Sequence, residues 1–440
     1  MSTLVYRIQT LLEKILADVP VGTNLGLWHL FLTLLSGRLL TSRGALFPAL
    51  TDFGLDAPAV RRADAALCYG RFQIDTLVAH WQNAVLEEGR FHPHEIEGIQ
   101  PVPCDMTGFF RPQMQAALGK HYQSQADKAL PAVSLGLIGS VGSVGTMRWA
   151  LPQALVCQEA SDLSEKALKQ RTITAAKPWV APGQAGIFDS GFKPEELLES
   201  GIGDFVVRGA TNFTGRRNFL PPYKGAGRHP EYGEIVRPLA RTYKDHELPA
   251  TPPDATARWK VGKRRIKALI FNALVPYESK PGGRSLRCVV ILDPKYKQPL
   301  VLVTTLTVTA HALWCLYLDR WPIEQIPLCA KQMLGAVRSF VFNSQSRVRL
   351  PALSLLAGSL LSYVAASSPV VATGFWDRCA RPTCGRLRRV LSGLHFSDFA
   401  ASDGEIRKKE SPTAHLPKGV LGHRRHKAVI PLSEPTAKAA

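Results

Sequence analysis

Acidic residues are what this sequence is short of. Its 440 residues hold 35 Asp and Glu against 54 Lys and Arg, a formal charge of +19, although charged residues are only 20% of the chain. Such a field is rarely needed by an enzyme of small metabolites and suits a protein that binds a polyanion, nucleic acid foremost. Cysteine is scarce too. Eight thiols scattered from Cys68 to Cys384 are too few for a disulfide scaffold and read as small core residues of a reduced compartment. Residues 1–14 lack the uninterrupted apolar stretch of a signal peptide, since Arg7 and Glu13 break it, and read as an amphipathic helix. No G-x-G-x-x-G, phosphate loop or serine elbow is present, which excludes the common dinucleotide, nucleotide and hydrolase signatures. One uncharged run, 350–376, is long enough to span a bilayer. Its five serines (Ser354, Ser359, Ser362, Ser367, Ser368) and Pro369 instead predict a buried core helix ending near Ser368, in a cytosolic protein without a membrane partner.

Hydrophobic residues make up 45% of the chain, enough for a sizeable core. The first ninety or so residues carry helical spacing, as in Ile8, Leu11, Leu12 and Ile15 or Ile74, Leu77, Val78 and Trp81. Asp56 before Ala57-Pro58 reads as a helix N-cap. From 96 onward the pattern changes to strands: 99–106, holding Cys104-Asp105; a glycine-spaced pair over 133–156; and 185–188, ending at Asp189. A helix over 194–200 and a strand over 205–208 follow. Beyond 213 come Gly/Pro-rich loops, strands over 266–275 and 286–292, and a concentration of bases. Residues 201–300 hold 19 Lys/Arg and 8 Asp/Glu, so a net +11 of the total +19 lies in under a quarter of the chain. The densest run, 258–267, interleaves Trp259 with Lys263, Arg264, Arg265 and Lys267, which suits a β surface laid along a phosphate backbone. Residues 381–440 add 12 Lys/Arg against 5 acids, with clusters at 386–389 and 423–427, and read as a basic tail.

The strongest local signal is Tyr317-Leu-Asp-Arg320-Trp-Pro-Ile-Glu324, followed by Lys331. Steps of three, four and seven return to one side of a helix, so Tyr317, Arg320, Glu324 and Lys331 should share a face. A carboxylate flanked by cations can hold a metal and a phosphodiester together. Pro322 and Pro327 should shorten or kink that helix.

Tyr-x2-Arg-x3-Glu-x6-Lys resembles the signature of the DDE transposases of bacterial insertion sequences, in the subgroup whose ribonuclease-H-like core is interrupted by a β-rich insertion. The strand candidate 299–305 precedes the signature, Asp189 resembles the second aspartate of that family, and Asp105 in Pro-Cys-Asp-Met-Thr resembles the first. The resemblance spans about 99–345. It implies an α+β or α/β fold: a helical N-terminal DNA-binding domain (1–95), a ribonuclease-H-like core in two parts (96–212 and 299–385), a basic β-rich insertion (213–298) and a basic tail (386–440). It implies Asp105, Asp189 and Glu324 as catalytic residues and ligands of two Mg²⁺ ions, with Mn²⁺ able to substitute. Arg320 and Lys331 would hold phosphates and Tyr317 a phosphate or strand end. Asp204 is a rival for the second position; Asp52 and Asp75 are weaker rivals for the first.

The implied activity is metal-dependent cleavage and strand transfer at the ends of an insertion sequence. The implied partners are double-stranded DNA, as terminal inverted repeats and target, and a homodimer assembled on it in the bacterial nucleoid. Relatives that cut through a DNA hairpin place a tryptophan before the signature helix. Here Tyr296-Lys-Gln-Pro-Leu300 stands there, leaving Tyr296 or Trp259 to stack on a base or to serve the core. A nuclease that cuts without joining, or a non-catalytic DNA-binding descendant, are the alternatives. His92 and His94 could be a metal pair but have no third ligand nearby, and Cys379, Cys384 and His395 have poor zinc spacing.

Overall fold

The computed structural model describes residues 2–111, 119–123, 125–159, 164–223, 225, 227–372, 374–399 and 406–409. The fold is mixed α and β, with a 13-stranded sheet and helices packed on it.

Five main strands run through one half of this sheet, β1 (Gln100–Phe110), β2 (Lys128–Val144), β3 (Met147–Cys157), β4 (Gln184–Phe188) and β5 (Asp204–Gly209), and the short strands Phe91–Pro93 and Gly119–Gln123 also pair with β2. Their spatial order is β3-β2-β1-β4-β5, antiparallel from β3 to β1 and parallel from β1 to β5. The parallel pairs are joined by the helices Glu165–Ala176 and Pro194–Ser200, as parallel neighbours require a crossover. The glycines spaced along β2 set the thickness of the layers. A Cβ at Gly136 would lie 2.1 Å from Thr172 Oγ1, and one at Gly139 2.8 Å from Ile323 Cδ1. The helix Glu165–Ala176 therefore lies directly on one face of β2, and the helix Trp321–Leu328 on the other.

The second half continues antiparallel from β5 through β9 (Leu300–Thr304), β8 (Leu286–Leu292) and β7 (Arg264–Pro276) to β6 (Ala255–Val261). Apolar alternation is clear here, since Ile266, Ala268 and Ile270 are buried under the helix Ala310–Leu318 together with Leu313 and Leu316.

Six helices fill Ser2 to Glu87, and Asp56 caps one of them by accepting from Ala59 N at 2.8 Å. They share one core with the long helix Ser346–Ser367, where Trp28, Phe31 and Trp81 meet Leu353, Leu356 and Tyr363. This helix alone is long and apolar enough to cross a membrane among the described residues, and 83% of its apolar window is buried inside the protein. Its serines explain the uncharged run. Trp81 Nε1 donates to Ser359 Oγ at 3.0 Å and Trp149 Nε1 to Ser362 Oγ at 2.8 Å, so two buried indoles are satisfied by the core helix.

The expected basic tail needs correcting. Residues Cys384–Leu391 form a helix, with Leu387 and Leu391 four apart and buried in the same core. Phe396 then packs edge-on to His29 at 5.0 Å. The apolar stripe between the arginines folds this stretch down. The cluster 423–427 lies outside the described residues.

Candidate active site

β1 and β4 are paired in parallel with Cys104 opposite Phe188, so the next residues, Asp105 in the middle of β1 and Asp189 just past the end of β4, stand side by side. Asp105 Oδ1 accepts from Met106 N, and Asp189 Oδ1 from Gly191 N, each at 2.9 Å. Both border an open cleft of about 590 Å³ that also receives His121, Glu165, Lys169 and Glu196. Burial, reinforced by the negative charge of Asp189 and, less strongly, Glu324, pushes the Asp105 carboxyl up to about 7; Arg320 opposes the rise. Asp105 thus feels two carboxylates from distant parts of the chain and one guanidinium.

The signature is not one regular helix, as Pro322 and Pro327 led one to expect. The helix Ala310–Leu318 ends, Trp321–Leu328 begins after a break, and Cys329–Met333 forms a wide π turn. Pro322 lacks the N–H that would continue the first helix, and Pro327 weakens the second. Even so, the side chains converge. Arg320 Nη1 meets Glu324 Oε1 at 2.5 Å, and the Arg320 guanidinium lies 5.5 Å from the centre of the Tyr317 ring. Lys331 Nζ donates to Thr107 Oγ1 at 2.6 Å; Thr107 lies two residues from Asp105 on the same face of β1. Burial pushes the Lys331 ammonium down to about 8. Gly358 of the long core helix allows this approach, since a Cβ there would sit 3.1 Å from both Ile326 O and Ala330 N.

The rival acids are otherwise engaged. Asp204 accepts from Arg284 at 2.7 Å and Thr305 at 2.9 Å, and Asp52 pairs with Arg38 at 3.0 Å. Asp75 lies in the first turn of the helix Ile74–Glu87. Cys384 hydrogen-bonds to Cys329 instead of joining Cys379 and His395.

Among the described residues no three His, Cys, Asp or Glu side chains form a finished metal cage. In charge and donor type, however, Asp105, Asp189 and Glu324 fit a hard dication: three carboxylates destabilise one another, and Arg320 supplies positive charge beside them.

The basic strand pair divides the sequence candidates between two faces. Arg258 is opposite Lys267 and Lys260 opposite Arg265, so these four cations line one face of the β6–β7 ribbon. None has a carboxylate partner among the described residues. Lys263 sits exposed in the connecting turn. Trp259 and Arg264 point the other way. Trp259 packs against His311 at 5.4 Å and Trp314 at 5.9 Å, and Arg264 Nη1 donates to Asp293 Oδ1 at 2.5 Å. Strand register thus turns both to the face opposite the four cations, and for Trp259 it gives the core role that the sequence left open. Tyr296 is 56% exposed in the loop after β8, and Trp321, which sequence reasoning passed over, is 48% exposed beside Arg320. Thr107 was also missed, although its place in Asp-x-Thr was visible.

No family model and no curated protein matches this chain.

Proposed function

We propose that this protein is a DNA transposase that cuts phosphodiester bonds at the ends of an insertion sequence and joins them to target DNA. One observation carries the reading. Asp105, Asp189 and Glu324, far apart in sequence, lie close enough for the charges of the other two to raise Asp105, with Arg320 and Lys331 at the same place. The five-stranded half-sheet, with the first aspartate on its middle strand and the second at the end of the next, supports a ribonuclease-H-like core. The basic strands over 213–298 support a β-rich insertion into it.

Asp105, Asp189 and Glu324 would hold two Mg²⁺ ions, or Mn²⁺ in their place. When bound, these supply a lowered pKa for the attacking water or 3′-hydroxyl and charge stabilisation for the leaving oxygen. Arg320 and Lys331 neutralise the phosphate, and the exposed Trp321 ring offers a stacking surface for an unpaired base. The four-cation face of the ribbon tracks the DNA backbone. Two chains assemble on two DNA ends in the nucleoid, since each chain carries one such triad.

The test is cleavage and joining of labelled element ends by the purified chain with Mg²⁺. Glu324→Gln, of nearly equal volume, should still bind the DNA ends but lose cleavage, and Asp105→Asn should add no further loss, because either change disables the same site. Cleavage by Glu324→Gln at the wild-type rate would falsify the assignment. Cutting with no joined product would identify a nuclease instead.

A further inference from the structure

We propose that His94, Ser143, Arg148 and Asp319 form a positioning network that sets Arg320 and Glu324 against Asp105 and Asp189; its catalytic consequence rests on the function proposed above. Asp319, the residue before Arg320, is buried at the C-terminal end of the helix Ala310–Leu318. A carboxylate there faces the negative end of the helix dipole, so helix stability does not account for it. Two donors from the sheet do. His94 Nδ1 lies 2.8 Å from Asp319 Oδ2, and Arg148 Nη1 3.1 Å from Oδ1. Because a carboxylate only accepts, Nδ1 carries the proton. In the neutral ring Nε2 then accepts from Ser143 Oγ, 2.7 Å away.

The anchor is rigid on the sheet side. His94 N donates to Val141 O at 2.9 Å, and Ser143 is paired with His92 on one neighbouring strand and Arg148 on the other. On the helix side the backbone is short of bonds, because Pro322 has no N–H to give the Leu318 carbonyl. Arg148 Nη1 reaches that carbonyl at 3.5 Å. Side chains of the sheet thus replace the helical bonds that the proline removes, at the break that aims Arg320 and Glu324.

Ser143, His94 and Asp319 also have the order of contacts of an acyl-transfer triad. That use does not fit, since Ser143 lies within a strand paired on both sides, not on an exposed elbow with free N–H donors for an oxyanion.

The experiment compares the full-length chain with His94→Ala, Asp319→Asn, their double variant, His94→Asn and His92→Ala. Two quantities are read: amide hydrogen exchange over 318–326, and turnover at saturating DNA against apparent DNA affinity. His94→Ala and Asp319→Asn should each speed exchange at least tenfold and lower turnover about 10- to 100-fold with affinity unchanged, the scale of small misplacements at a site. The double variant should be no worse than either single one. His94→Asn, whose amide can stand where Nδ1 does, should recover most of both, and His92→Ala, with its exposed ring, should change neither. Unchanged exchange in His94→Ala, additive losses in the double variant, no recovery by His94→Asn, or an equal effect of His92→Ala would overturn the network. If exchange responds as expected but the wild-type chain cuts no DNA, the network stands and the transposase reading falls.

Discussion

Arg320 grips Glu324 across a single helical turn, with Nη1 2.5 Å from Oε1, at the place where two aspartates also converge. The guanidinium thereby does part of what a dication would do: it offsets the repulsion among Asp105, Asp189 and Glu324. Under the proposed function, a phosphodiester would offer Arg320 a bidentate partner and so release Glu324 to a metal.

Arg320→Gln should therefore uncouple two properties that usually fall together. With the competing charge gone, Mn²⁺ binding by the DNA-free protein at pH 8 should tighten about tenfold, a difference of roughly 1.4 kcal/mol. DNA cleavage should fall sharply, because the phosphate loses its fork. Titration of Mn²⁺ followed by electron paramagnetic resonance reads the first effect. Weaker Mn²⁺ binding in the variant would show that Arg320 does not compete with a metal.

The acid and base at the site define a pH window. Asp105 has its carboxyl raised to about 7 by burial and by Asp189, so it holds a proton below that pH, and a dication at the proposed site would have to displace that proton there. The sign for stability is the reverse of the usual aspartate: the folded form takes up a proton between the ordinary aspartate range and 7, and the metal-free protein becomes less stable as pH rises through that interval. Lys331, lowered to about 8 by burial, loses its charge above that value. Cleavage should follow a bell with limbs near 7 and 8, the acid limb moving down as metal concentration rises. Lys331→Arg should remove the alkaline limb. A profile flat from 6 to 9 at subsaturating metal would refute both assignments.

Strand register decides which bases share a face of the β6–β7 ribbon, and under the proposed function that face meets DNA. Replacing Arg258, Lys260, Arg265 and Lys267 together by alanine should weaken binding and reduce the slope of log affinity against log salt by about 0.9 for each lost phosphate contact. Arg264→Ala should leave the slope alone and cost stability instead, because it strands the buried Asp293 without its partner. Salt titrations of both variants separate the two faces. Equal slopes for the fourfold variant and the wild type would place the DNA path elsewhere.

Much of the fold was legible because local chemistry and tertiary packing agree. The strand Gln184–Phe188 with Asp189 at its end, the helix Pro194–Ser200, the strand Leu286–Leu292 and the Asp56 cap all follow from short apolar runs or helix-start residues. What was hidden depends on pairing over long separations. Trp259 and Arg264 could not be assigned a face until β6 was set in register with β7, where a shift of one residue exchanges inside for outside. His94 and Asp319 are 225 residues apart, and nothing local to either points to the other. The helix Cys384–Leu391 was masked by its arginines, although Leu387 and Leu391 already stood one turn apart. At the signature, the side-chain convergence was visible but the break was understated, because Pro322 starts a new helix rather than bending the old one.

The serines of the long core helix give the last prediction. Ser359 and Trp81 are both fully buried, and the indole N–H has Ser359 Oγ as its partner. Ser359→Ala removes that acceptor without opening room for water, so it should cost about 1–3 kcal/mol of folding free energy, the penalty of a buried unsatisfied donor. Ser362→Ala should cost less, since Trp149 keeps slight exposure and Ser362 is only partly buried. Ser392→Ala, on an exposed turn, should change nothing measurable. Denaturant unfolding of the three variants gives the ranking. If Ser359→Ala proves as stable as Ser392→Ala, the serines are not the reason this uncharged stretch packs as a core helix. The indole–serine bonds would then be incidental to its burial.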